Sequence, residues 1–167
     1  KNKFLKFFLL FIFICNTSVA EQFKFETSEI EIVEGGNLTY AKNGKAFSLD
    51  GNLEIQAEKF ELIRDLNLLK AFKGNAYFKT DNLKIEFGEI NLDQINLITN
   101  AKNNVKIINL DKQVSIETDS ISFDRKKNIL KSQTQSTLKD NKNNIIKVKS
   151  FTYNLDEGVL KLKNIDL

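Results

Sequence analysis

The 167-residue chain contains no histidine, methionine, tryptophan or proline, and one cysteine. Without imidazole, and with its only thiol at Cys15 inside a leader-like segment, it lacks the usual general bases, thiolate nucleophiles and zinc ligands. No catalytic residue, metal or cofactor is therefore expected. No proline interrupts a strand ladder. There is no glycine-rich phosphate loop, and Gly35-Gly36 reads as a hairpin turn. Arginine occurs only at Arg64 and Arg125, well apart in the sequence, which weakens the case for phosphate binding. Ser120, Ser122 and Ser150 fall on strand patterns with no base nearby in the sequence. Asp93 and Asp124 occupy equivalent places, yet each leads into a turn, where an Asp serves local backbone donors. The Asp-x-Asn patterns near residues 111 and 140 are too poor in ligands for calcium loops. The absent initiator methionine predicts a fragment, and Leu167, which ends an apolar alternation, predicts a cut C-terminus as well.

The first twenty residues differ from the rest. Lys1, Lys3 and Lys6 precede an apolar run from Phe7 to Cys15, followed by Ser18-Val19-Ala20. That layout predicts a cleaved signal peptide over 1–20, since the run is well short of the roughly twenty residues a membrane span needs. Its removal takes away three lysines and no acid, leaving 22 basic against 22 acidic residues. The basic balance of the whole chain is thus a targeting feature, and no nucleic-acid partner is expected. The remainder, 21–167, has no cysteine and reads as one exported, disulfide-free domain suited to a bacterial periplasm.

What is present is a repeat. Phe25, Ile55, Ile85, Ile116 and Ile146 recur at intervals of 30, 30, 31 and 30 residues, and Leu38, Leu68, Ile98, Ile129 and Val159 keep step. Such a period means stacked supersecondary units, each unable to bury its own apolar face. Within a unit, Leu53, Ile55 and Ala57 alternate with polar residues, as a half-buried strand does. The alternation then slips by one, from Ala57 to Phe60. The slip recurs at Thr27 to Ile30, Phe87 to Ile90, Thr118 to Ile121 and Val148 to Phe151. It predicts a bulge or corner in each strand and an aligned crease across the sheet. Asn37, Asn67, Asn128 and Gly158, with Asn96 one place early, supply hairpin chemistry. Gly44, Gly74 and Asn104 read as further turns, giving two to three antiparallel strands per unit.

The fold class expected is all-β, an antiparallel repeat sheet. Its inward set includes Phe25, Ile55, Phe60, Ile85, Phe87, Ile90, Ile116, Ile121, Phe123, Val148 and Phe151, together with Ile32, Leu62, Leu92 and Tyr153. These residues line either a closed core or a groove able to hold lipid. The first and last strands, Phe23-Lys-Phe25-Glu-Thr27 and Val159-Leu-Lys-Leu162, carry no proline or cap, so each is open to strand addition.

The stretch Asn52-Leu-x-Ile55-x-Ala57-x-x-Phe60-x-Leu62, followed by Leu69-x-Ala71-x-x-Gly74-Asn75-Ala76, resembles the OstA-like, organic-solvent-tolerance N-terminal domain family. Ile98-Thr-Asn-Ala101-Lys-Asn-Asn-Val105-Lys-Ile107 is similar to another of its signatures, with Asn103 where glycine is usual. Thr80–Ile85 and Glu117–Asp124 look like a third. The resemblance covers nearly all of 22–167. It implies a β-jellyroll folded like a taco, with the eleven groove residues just named holding the acyl chains of lipopolysaccharide. It also implies partners: related jellyrolls joined edge to edge, and, since Phe23 to Asp50 looks most like the periplasmic domain of the outer-membrane assembly translocon, an outer-membrane β-barrel. A free-standing periplasmic bridge protein of the same family is the alternative, and a lipid-free structural scaffold a second one.

Overall fold

A computed structural model describes residues 23–166, apart from the side chain of Asp166; the predicted signal peptide lies outside the described residues. Eleven strands follow one another: β1 (Phe23–Val33), β2 (Leu38–Ser48), β3 (Leu53–Ile63), β4 (Leu68–Phe78), β5 (Leu83–Asp93), β6 (Ile98–Asn109), β7 (Val114–Asp124), β8 (Ile129–Ser132), β9 (Ser136–Lys139), β10 (Ile145–Asn154) and β11 (Val159–Asp166). All belong to one antiparallel sheet in chain order, β8 and β9 being two halves of one strand position between β7 and β10. The repeat is therefore one hairpin, two strands with their turns. β1 and β11 are the free edges.

Gly44, Gly74 and Asn104 are not turns. They lie in the middle of β2, β4 and β6, which run on through them. This is where the sheet creases. Asn43, Lys73, Asn103, Asn104 and, on β11, Asn164 take left-handed φ values of 47° to 66°. The left-handed residue re-aims the return strand while its partner slips its alternation, so the pairing of β1 to β5 keeps register across the corner. At the corner, neighbouring backbones approach closely: a Cβ on Gly44 would stand 2.1 Å from Glu26 O, and one on Gly74 2.0 Å from Gln56 O. Only glycine fits there. A true bulge occurs at β6, which has 12 residues against the 11 of β5 and β7. Register shifts between Glu86 and Glu89 on one side and between Lys102 and Val105 on the other. That inserted residue produces the one 31-residue interval in the sequence.

Eight of the turns are four residues long and close a hairpin with a left-handed residue. Asn67, Asn82, Gln113, Asn128 and Gly158 fill the last place. In the third repeat Leu97 takes it, at φ 56°, rather than Asn96. Asn37 has φ −70°, and Glu34, Gly35 and Gly36 take the positive angles instead. Successive turns bond to each other along each rim, as in Arg64 N to Asn37 O at 2.8 Å and Lys79 N to Asn52 O at 2.8 Å.

The crease folds the two halves of every strand toward each other. Phe25, in one half, meets Phe60, in the other, edge to face at 5.6 Å, and Phe78 meets Phe123 in the same way at 5.3 Å. The inner faces form one apolar core from β1 to β10. The outer face is a lattice of exposed ion pairs, among them Lys42–Glu29 at 2.7 Å and Lys102–Glu89 at 3.1 Å. Each adds little to stability, but the charges keep the outer surface wet. The result is the creased, all-β antiparallel repeat sheet that the repeat and its slips predict, folded as the jellyroll that the resemblance implies.

Candidate functional site

The predicted groove residues do converge. Ile55, Phe60, Ile85, Ile90 and Phe123 are 0% exposed, and Phe87, Ile116, Ile121, Val148 and Phe151 at most 5%. Phe25 packs against the core but is partly exposed. They are drawn together from five strands because a slip of one at the crease keeps apolar residues inward on both sides of it. In this state they are covered by one another: the two halves touch. The core also includes Leu69, Leu83, Ile107 and Leu130 from the return strands and their neighbours. Leu69 and Ile107 lie in strands whose apolar alternation resumes beyond Gly74 and Asn104, a signal obscured when these residues are read as chain reversals.

The inner face remains open at its ends. Ile30 and Ile32 pair with the buried Ala41 and Thr39, so they share the inner face, yet they are 57% and 56% exposed because no strand lies beyond β1. At the other end Ile165 pairs with buried Val148 and is 49% exposed. Outward charge differs between the two edges: β1 carries Glu26, Glu29 and Glu31 against Lys24, with Glu26 paired to Lys24 and Glu29 to Lys42, whereas β11 carries Lys161 and Lys163.

Part of the inner wall is polar. Thr118 Oγ1 lies within 3.0 Å of the hydroxyls of Ser132, Thr134 and Ser136, at the gap between β8 and β9. The hydroxyls satisfy one another in the place where other repeats carry Ala57, Phe87 or Val148, and the strand breaks there.

Opposite the crease the two rows of turns meet, forming an open cleft of about 780 Å³. One side presents Ser48, Leu49, Asp50, Asn52, Thr80 and Asp81, and the other Gln94, Leu97, Arg125, Lys126, Asn128 and Asp156. Asn128 Nδ2 donates to Asp81 Oδ1 at 2.8 Å across the cleft and to Asp156 Oδ1 at 2.7 Å along its own rim. Arg125 Nη2 donates to Asp93 O at 2.9 Å and Gln94 Oε1 at 3.3 Å. Burial lowers the Arg125 pKa, against the charges of Asp50 and Asp93. The Ser48 hydroxyl, then the Asn52 backbone, hold Asp50 below the usual carboxylate value. Gln94 Nε2, Arg125 Nε and Asn128 Oδ1 are buried without a partner. Deeper in, Asn109 Nδ2 reaches Tyr153 Oη at 3.3 Å, and burial raises the phenol's pKa. Sequence reasoning missed this polar mouth. Its residues look like ordinary turn formers, and they meet only through the fold.

Asp93 and Asp124 are turn residues. Asp93 Oδ1 accepts from Ile95 N at 2.9 Å and Asn96 N at 2.8 Å, and Asp124 Oδ1 from Lys127 N at 3.0 Å. Asp140 likewise caps Lys142 N and Asn144 N, both at 2.9 Å. Among the described residues no three His, Cys, Asp or Glu side chains are grouped to hold a metal. No helix among them is long and apolar enough to cross a membrane.

Fold and site together define a class: a creased single-sheet β-module with an apolar interior, a polar mouth and two unpaired edges. No family model matches the chain, and no curated protein does. A solved structure it is similar to is LptH of Pseudomonas aeruginosa, described as the LptA-homologous periplasmic component of the lipopolysaccharide transport device. Identity is 9%, coverage 86% of this chain and 92% of that one, and the TM-score 0.33.

Proposed function

We propose that the chain is a periplasmic carrier module of lipopolysaccharide transport, holding acyl chains between the two halves of its folded sheet and docking edge to edge with related jellyrolls. The observation that carries this reading is the largely apolar inner face, interrupted by the hydroxyl cluster around Thr118, open at both ends at Ile30, Ile32 and Ile165 and bounded by edge strands. An acyl chain of about twelve methylenes brings a gross gain of about 10 kcal/mol at about 0.8 per CH₂. That gain offsets parting the halves, which separates Phe25 from Phe60 and Phe78 from Phe123. The outward acids of β1 and lysines of β11 suit a partner strand of opposite charge at each edge. Within this reading the chain is the N-terminal part of the assembly translocon, as the resemblance of Phe23 to Asp50 implies, and its further partner is an outer-membrane barrel. The packed interior favours one rival, a lipid-free structural scaffold.

Photo-crosslinking decides between them. A crosslinker at Phe87 or Phe123, on the inner face, captures lipopolysaccharide, and one at Lys84, on the outer face, does not. Equal labelling at all three positions, or none, sinks the carrier reading and leaves the scaffold.

A further inference from the structure

The cleft between the two rows of turns has a chemistry of its own, unlike the apolar interior. Its volume falls in the range of small-molecule sites, roughly 300–1,000 Å³. Its hydrogen-bonding capacity is only partly spent. Asp81 and Asp156 each give one oxygen to Asn128, and their second oxygens accept nothing from the described residues. Arg125 spends Nη2 on the backbone of Asp93 and on Gln94 and keeps other donors, and the Lys126 ammonium has no partner among the described residues. Acceptors and donors thus face one another across a short span, with the side chains of Leu49, 63% exposed, and Leu97, 37% exposed, beside them.

That pattern selects among ligand classes. A phosphate or other anion meets the carboxylates of Asp50, Asp81 and Asp156 around a guanidinium already partly engaged. A metal ion finds no group of three ligating side chains among the described residues. An apolar ligand strands charged groups away from water. Vicinal hydroxyls fit. Each donates to a carboxylate oxygen and accepts from an amide or guanidinium, in charge-assisted bonds, while a ring's C–H face lies on leucine.

We propose that the cleft between the rims binds an uncharged saccharide, its hydroxyls held by Asp81, Asp156, Gln94, Arg125 and Lys126 and its C–H face set on Leu49 and Leu97. The site does not depend on the acyl-carrier reading, because a sugar without acyl chains is enough to fill it.

The test titrates the whole chain with maltotetraose, cellotetraose and chitotetraose to about 10 mM, a range that detects millimolar affinities. The side-chain amide signals of Gln94 and Asn128 are followed by NMR. At least one sugar is expected to move both signals saturably, and Asp156→Asn, on an exposed turn, to weaken that binding at least about tenfold. Thermal melting of the variant establishes that it is folded; should it not be, Lys126→Ala, also on an exposed turn, replaces it with the same expectation. No movement with any of the three sugars overturns the proposal. So does unchanged binding by the folded variant, or the same movement produced by sodium phosphate.

Discussion

Asn128 donates its side-chain N–H to Asp81 across the mouth of the fold, 47 residues away, at 2.8 Å. The bond joins turns that belong to opposite rims. Asp81→Ala is expected to cost about 1 kcal/mol, the usual net worth of one hydrogen bond. It is also expected to speed amide exchange in both turns, 79–82 and 125–128. Asp111→Ala removes a bond of similar length, Asn82 Nδ2 to Asp111 Oδ1 at 2.7 Å, but within one rim. Exchange at 125–128 is then unchanged. Hydrogen-exchange mass spectrometry compares the two.

The crease glycines and the turn glycines are expected to respond differently to alanine. Gly74→Ala drives a Cβ to 2.0 Å from Gln56 O, so adjacent strands must separate. A loss of at least about 2 kcal/mol is expected. Gly35 has φ +63° and nothing within 4 Å of a new Cβ. Gly35→Ala meets only the left-handed strain, about 1 kcal/mol. Urea unfolding of both variants measures the difference.

Aromatic rings on the two faces are expected to differ in the same assay. Phe123→Ala empties the core and removes the contact with Phe78, costing about 3–5 kcal/mol. Phe72, on the outer face under the Lys59 ammonium at 5.4 Å, is worth about 1 kcal/mol or less for that contact.

Stability is expected to fall at both ends of the pH scale. Backbone and side-chain bonds from Asn96 hold Asp93 below the ordinary 3.8, and bonds from Asn144 do the same for Asp140. The unfolded chain therefore binds protons more readily than the folded one in this window. Their contribution is full above 3.8 and is lost as pH falls through the lowered values. Tyr153 is raised above 10.0 by burial, so its contribution is full below 10.0 and is lost as pH rises past it. Asp93→Asn is expected to make the acid limb of a urea-midpoint profile shallower, and Tyr153→Phe the alkaline limb.

Leu97 occupies a left-handed place that its counterparts Asn67 and Asn128 fill at less cost. Leu97→Asn is expected to raise stability by about 0.5–1 kcal/mol, read as a higher melting temperature.

Much of this architecture is legible in the chain. Period, strand phase and the slip from Ala57 to Phe60 define a creased antiparallel sheet and name the residues that fill it. What misleads is local backbone chemistry. Asn43-Gly44 and Lys73-Gly74 look like hairpin turns because a corner and a hairpin ask for the same left-handed torsion. Only the unbroken alternation on both sides tells them apart. The exposed state of Ile32 is hidden for another reason: its pattern is that of Leu62 and Leu92, and only its place on the edge strand uncovers it. The bonds of the mouth are hidden because Asp81, Asn128 and Arg125 are brought together by the folding of the whole sheet rather than by anything within reach along the sequence.

The extra residue of β6 also bears on how such a chain changes over generations. On its N-terminal side the hairpin units share one frame, so unequal crossing-over between the coding segments of β2 and β4 deletes or duplicates a complete unit and leaves every ladder intact. An exchange that spans β6 carries the frame offset with it. The width of the sheet is thus heritable in steps of two strand spacings, about 9–10 Å each, and the reach of the molecule grows or shrinks in whole hairpins without redesign of its crease, rims or edges.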